Sequence, residues 1–96
     1  MPYLVIRHYK GSAKLIDELE QRSGDVENLI RGNPGFITYY LVRSEDGGFS
    51  VSVFEDRAGA EQSTRAARDY LRQNLSEVSS EPPEIIEGQA VVSFSA

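Results

Sequence analysis

The stretch from Pro34 to Asp56, PGFITYYLVRSEDGGFSVSVFED, constrains the fold more than any other part of the chain. Gly32 tolerates positive φ and Pro34 cannot continue a helix, so together they end whatever helix precedes them. Two runs rich in β-branched and aromatic residues follow, Phe36 to Ser44 and Gly48 to Phe54. They meet at Asp46-Gly47, a dipeptide strongly favoured in two-residue hairpin turns. Asp56 then supplies an N-cap for a further helix. Helix exit, strand, turn, strand and helix start fix the middle of the topology.

The flanking segments complete the pattern. Tyr3 to Tyr9 reads as a first strand that stops at Lys10-Gly11. Ser12 can cap a helix whose apolar face is Leu15, Leu19, Val26, Leu29 and Ile30. Gly24 interrupts that helix at a cost of about 1 kcal/mol relative to Ala, but the stripe keeps its phase, so one helix is expected. The second helix runs to about Leu75 with Ala60, Thr64, Ala67, Leu71 and Leu75 inward, and Glu61 four residues before Arg65 on the wet side. Ser79-Ser80-Glu81-Pro82-Pro83 reads as a loop, and Glu84 to Ser95 as the last strand, bent or bulged at Gly88. The order β-α-β-β-α-β predicts one ferredoxin-like α+β domain over residues 1–96, a four-stranded antiparallel sheet with two helices on one face.

A chain of 96 residues buries only roughly 60–65% of its unfolded surface, so its core is thin. The sheet points to how it gains more. A turn at Asp46-Gly47 pairs Arg43 with Ser50, Leu41 with Ser52 and Tyr39 with Phe54. The alternate face then carries Phe36, Thr38, Tyr40, Val42, Phe49, Val51 and Val53, the more apolar set, which is expected to face the helices. Yet the first set still holds Ile37, Tyr39, Leu41 and Phe54, whereas a sheet facing water normally shows polar side chains there. A second sheet is expected to cover it, most simply in a two-fold homodimer.

Charge and composition exclude several functions. A net charge of −5 and scattered Arg and Lys argue against nucleic-acid binding, which rests on clustered cations. Without Cys there is no disulfide, thiolate zinc site or thiol nucleophile, and a lone His cannot build a His-rich metal site. The apolar run at the start is too short for a signal peptide, and nothing approaches the ~20 residues of a membrane span. A cytoplasmic protein without a membrane partner is expected.

The succession Pro-Gly-Phe, a Tyr-bearing strand, Arg-Ser at its end, Asp-Gly, and Phe-Glu-Asp at a helix start resembles the dimeric α+β barrel superfamily. Within it, the antibiotic-biosynthesis-monooxygenase-like (ABM domain-like) proteins are the nearest likeness. In element order the resemblance covers nearly the whole chain. It implies a small dimeric protein binding an apolar or aromatic molecule, with cofactor-independent monooxygenation as the candidate activity. The alternative is a non-catalytic dimerisation or ligand-sensing module. Haem-degrading members use an Asn, a Trp and a helix-borne His. This chain has no Trp and its His lies on a predicted strand, so no cofactor is expected and haem is disfavoured.

Candidate site residues follow from the predicted faces. His8, expected on the helix-facing side of the first strand, is the lone imidazole and a candidate proton shuttle, or else a strand-end residue half in solvent. Tyr40, Tyr70 and Asn33 are candidates to line a pocket between sheet and helices, with Tyr40 alternatively a packed core residue. Small residues at Ala60, Thr64 and Ala67 mean either close packing of the second helix or a cavity beneath it. Close packing is the preferred reading; a cavity above roughly 300 Å³ there with convergent polar groups favours ligand binding, and a sheet packed tight against these residues rules against an enzyme site under this helix. Arg7 and Arg43, expected on the opposite face, are candidates to bind an anion at the dimer seam or to pair with carboxylates such as Glu87. Asp17, Glu18 and Glu20 read as a solvated helix surface, and the glycines form no phosphate cradle.

Overall fold

The computed structural model describes residues 1–78 and 81–96. Strand β1 (Tyr3–Lys10) leads to helices α1 (Ala13–Gln21) and α2 (Ser23–Arg31). The hairpin β2 (Phe36–Ser44) and β3 (Gly47–Phe54) follows, then α3 (Arg57–Asn74) and β4 (Glu84–Gln89). The sheet order is β2-β3-β1-β4 with every neighbouring pair antiparallel, the expected ferredoxin-like α+β arrangement. The core joins Val5, Tyr9 and Phe54 of the sheet to Leu15, Ile16, Leu19, Val26 and Ile30 of α1–α2 and Ala60, Leu71 and Leu75 of the α3 region.

Several local expectations are corrected. The single first helix is two, broken at Arg22, whose φ of −104° and ψ of 31° leave the helical region. Gly24 lies inside α2 and does not cause the break. The bend allows Leu15, Ile16 and Leu19 on one segment and Val26 and Ile30 on the next to pack down together.

The hairpin turn is Glu45-Asp46, with Ser44 opposite Gly47, so every pair is shifted by two: Arg43 meets Gly48, Leu41 meets Ser50 and Tyr39 meets Ser52. The strand begins at Gly47 because its φ of +130° suits only glycine and a side chain there would overlap the Tyr9 carbonyl oxygen. A register irregularity at Phe36/Thr38 replaces the one expected at Gly88, which pairs regularly with Leu4. Strand β4 stops at Gln89, short of the expected Ser95. The loop assigned to Ser79-Ser80 lies outside the described residues.

The two faces of the sheet are also reversed. Val5, Arg7, Tyr9, Ser50, Ser52 and Phe54 are buried under the helices. Leu4, Ile6, His8, Tyr40, Val42, Phe49, Val51, Val53 and Ile86 share the face that carries no helix, by strand alternation and register. Ranking the two sets by apolar content failed because the inner set contains Arg7, Ser50 and Ser52, the last of which binds Arg7. Helix α3 starts as expected, with the Asp56 carboxylate accepting from the Gly59 N–H at 3.1 Å. Its buried face is Gly59, Ala60, Ser63 and Leu71, and Thr64 and Ala67 are half-buried beside it.

Candidate functional site

The seam beneath α3 is tight, and what fills it is Arg7. Its Nη1 donates to Ser52 Oγ at 3.0 Å, and its Nη2 donates to Ser63 Oγ and Thr64 Oγ1, both at 2.9 Å. One side chain therefore ties β1 to β3 and α3. A void of about 20 Å³ lies there, lined by residues including Arg7, Tyr9, Tyr39, Ser50, Ala67 and Tyr70. Two buried polar atoms among the described residues have no partner, Arg7 Nε and Ser50 Oγ. Both residues line that void.

The larger space lies on the other side of Tyr39. A cavity of about 530 Å³ opens between α1–α2 and β2, walled by Ile16, Leu19, Val26, Ile30, Phe36 and Leu41. Of the two alternatives under α3, close packing is the one found, and the larger space lies under the first helix pair, where any ligand has to be sought. Exposed Glu20, Glu27, Arg31 and Arg43 also line it and mark its mouth. The Arg31 guanidinium is 2.9 Å from Glu27 and lies over the Phe36 ring at 5.6 Å. Arg43 is held by Asp17 at 2.6 Å and Glu20 at 2.9 Å.

Burial sets the protonation of the inner groups. It pushes the Tyr39 phenol up to about 12 and raises the Tyr9 phenol, with the Arg7 charge opposing both shifts. The same desolvation lowers Arg7. Ser50 Oγ lies near both phenols without meeting either in hydrogen-bond geometry. At neutral pH, Tyr39 is therefore a hydrogen-bond donor and not a base.

A phenol raised from 10.0 to about 12 in the folded state stabilises the fold fully below pH 10, and that contribution is lost as pH rises through 12. Its size is roughly 3 kcal/mol. Urea midpoints measured between pH 9 and about 12 should fall, and the fall should be smaller in Tyr39→Phe. An equal fall in both proteins would contradict the assignment.

The other candidates scatter. His8 is on the helix-free face, not the helix-facing side, with Nε2 2.9 Å from Asp46 Oδ2 and Nδ1 3.5 Å from Glu84 Oε1. Tyr40 is on the same face, 61% exposed, and lines no pocket with the helices. Asn33 is buried, but its Nδ2 donates to the Leu29 and Ile30 carbonyls at 2.9 and 3.1 Å, closing the end of α2. Tyr70 lines the small void while its hydroxyl donates to Asp25 Oδ2 at 3.2 Å, tying α3 to α2. Thr64 meets Arg7. Arg7 and Arg43 lie on the helix side, not the opposite face, and Glu87 accepts from the Tyr3 hydroxyl at 2.8 Å instead of pairing with either. Sequence reasoning missed Tyr9, Tyr39, Ser50, Ser52 and Ser63. The available signal was the alternation Ser50-Val51-Ser52-Val53, in which the polar residues turned out to face inward.

No family model and no curated protein matches the sequence. Solved structures do match. The monooxygenase ActVA-Orf6 of Streptomyces coelicolor, solved with nanaomycin D, superposes with a TM-score of 0.66 at 22% identity, over 99% of this chain and 91% of that one. This is the fold of the antibiotic-biosynthesis-monooxygenase-like proteins. The ABM-like fold is shared by NE2512 of Nitrosomonas europaea, a protein of unknown function, with a TM-score of 0.70 at 16% identity over 99% and 93% of the two chains. It is shared too by the haem-degrading protein Rv3592 of Mycobacterium tuberculosis, solved free of haem, with a TM-score of 0.66 at 20% identity over 99% and 100%. That neighbour overturns the expectation that a chain of this kind needs no cofactor, because an ABM-like fold serves a haem-degrading protein. The missing Trp does not decide the matter. Among the described residues no helix is long and apolar enough to cross a membrane.

Proposed function

We propose that this protein binds a flat, largely apolar or aromatic small molecule between α1–α2 and β2, and acts on it as a monooxygenase, working as a cytoplasmic homodimer. The observation that carries this reading is the cavity of about 530 Å³. It falls within the roughly 300–1,000 Å³ of small-molecule sites and joins apolar walls to a charged mouth. Ile16, Leu19, Val26, Ile30 and Leu41 would hold the ring system, and Tyr39 would donate a hydrogen bond to a ligand oxygen. The complex of ActVA-Orf6 with its ligand nanaomycin D supports a small organic molecule as the class of occupant.

Thermal-shift screening of planar aromatic compounds tests the reading. A binder at a hundred times its Kd adds about 2.7 kcal/mol, which in a domain of this size raises Tm by roughly 10 °C. Filling the cavity with Leu41→Trp should abolish that rise while leaving the circular dichroism unchanged. If no compound stabilises the wild type, the reading falls; a binder that is never turned over favours the ligand-sensing module.

Haem is a second reading, favoured by the haem-degrading neighbour of the same fold; Arg31 and Arg43 at the mouth would be the residues to meet its carboxylates. When bound, haem supplies the activation of oxygen. The cavity lining contains no histidine, so a Soret band shifted on haem addition should be unaffected by His8→Ala and lost in Leu41→Trp.

The dimer is argued from the helix-free face and from the end of the chain. Tyr40 and Ile86 are 61% and 63% exposed on that face, and Val91, Val92 and Phe94 are 82%, 73% and 91% exposed beyond β4. Apolar groups gathered in this way mark an association surface. Sedimentation at micromolar concentration should give twice the mass of one chain, and Val51→Lys should halve it. A wild-type monomer would contradict the pairing.

A further inference from the structure

We propose that the outer face of α3 is a docking surface for a short acidic segment of another protein, whose carboxylates are gripped by Arg65, Arg68 and Arg72. The surface is independent of the cavity and of whatever the cavity holds.

The three arginines stand three and four residues apart on α3, so they share one side of the helix over two turns, about 10 Å. All three are exposed, and among the described residues none forms an ion pair. The other arginines are engaged. Arg7 is bound by three hydroxyls, and Arg22, Arg31, Arg43 and Arg57 each meet a carboxylate. Asp69 follows Arg65 by four residues and precedes Arg72 by three, yet pairs with neither. Like charges at these spacings weaken a helix, so the row stands against a local penalty that an acidic partner would remove.

The row also stands apart in the charge of the molecule. Helix α3 carries four arginines and two carboxylates, net +2, in a chain of net −5, which leaves −7 on the remainder. A partner with carboxylates is attracted to this one helix and repelled by its surroundings, which fixes where it lands.

The size and company of the row decide the kind of partner. No large apolar side chain is exposed on α3, so the helix has nothing to insert into a bilayer. A nucleic acid carries its phosphates far beyond two helical turns, onto the acidic remainder. A short acidic segment ends where the row ends. Arginine suits it, because a guanidinium can hold a carboxylate through two parallel N–H donors.

The platform is fixed in advance. The Asp56 carboxylate caps α3, Ser63 and Thr64 accept from Arg7, and the Tyr70 hydroxyl donates to Asp25. A surface already ordered loses less freedom on binding. Because α3 lies on the helix side of the sheet, pairing of two chains through the helix-free face leaves the row open on both.

The probe is a helix-forming peptide of about fifteen residues whose three glutamates repeat the three-and-four spacing. Its control has the same composition with the glutamates turned to different sides. Each is titrated into the isotope-labelled full chain at low salt, and the amide resonances are followed by NMR. Exposed ion pairs are individually weak, so the matched peptide should bind at high micromolar concentration, with shifts gathered on α3. Binding should weaken about tenfold on going from low to physiological salt. Arg65→Gln/Arg68→Gln/Arg72→Gln, which removes only exposed, unpaired groups, should abolish it. Arg68→Glu alone should weaken it several-fold, and Lys14→Gln on α1 should leave it unchanged. The proposal is overturned by an absence of shifts at several millimolar peptide, by equal binding of the control peptide, or by undiminished binding in Arg68→Glu. Displacement of the peptide by phosphatidylserine vesicles or a single-stranded oligonucleotide, at lower concentration and through the same arginines, assigns the surface to a lipid or a nucleic acid and overturns it too.

Discussion

Replacing Phe54 by Ala should remove about 3–5 kcal/mol of stability, the usual cost of a large-to-small change at a fully buried aromatic. Phe54 has no exposed surface and pairs with both Tyr3 of β1 and Phe36 of β2. Its ring meets that of Phe36 edge-on, with centroids 6.0 Å apart. It also backs onto the first turn of α3, where Gly59 lets the helix approach. The substitution therefore opens a hole where two strand pairs and a helix converge, and neighbouring groups fixed by ladder hydrogen bonds cannot collapse into it. Domains of this kind hold roughly 5–15 kcal/mol in total, so the loss is a large fraction of the whole. Urea unfolding followed by circular dichroism measures the loss; a change under about 1.5 kcal/mol would mean that Phe54 is not at the hub.

The second large effect reverses a rule. Gly to Ala inside a helix normally gains about 1 kcal/mol. At Gly59 it should instead cost about 3 kcal/mol, because the added methyl overlaps the Pro34 carbonyl oxygen, a backbone atom that cannot rotate away. The same change at Gly24, in the exposed part of α2 with nothing within 4 Å of the new Cβ, should follow the rule and gain up to about 1 kcal/mol. Opposite signs from one chemical change separate close packing from backbone entropy. Stabilisation by Gly59→Ala would show that α3 does not seat against the loop before β2.

Element order and most boundaries were legible because they rest on local signals: the double stop at Gly32 and Pro34, alternation in three strands, and the Asp56 cap. The helix break was not legible, since apolar spacing keeps its phase across Arg22 and carries no record of direction. The one-residue shift of the turn, which moves every strand pair by two, escaped because Asp46-Gly47 is a strong local signal, overridden by the close approach of Gly47 to the Tyr9 carbonyl. The inversion of the sheet has a different origin. Apolar content ranks faces only when polar residues face water, and here Ser50 and Ser52 face inward, Ser52 binding Arg7. The site was hidden for the same reason. An arginine between Ile6 and His8 on a strand reads as solvent-facing until the hydroxyls that enclose it, drawn from β3 and α3, are brought together by the fold. The resemblance to ABM-like proteins pointed to the right architecture, and the absence of one residue type was too slight a basis for excluding a cofactor.

The break at Arg22 has a thermodynamic consequence for whatever the cavity holds. It divides the cavity's roof into two helices of nine residues each, both shorter than the ~12–15 residues at which isolated helices become even marginally stable in water. Neither half can hold its shape except by resting on something. Leu19, Val26 and Ile30 rest partly on the core and partly on the space below. An occupant supplies the surface that the second half of that contact lacks. Roof order and occupancy are then coupled quantities: slowing of amide exchange across Ala13–Arg31 should rise and saturate with the same midpoint as binding.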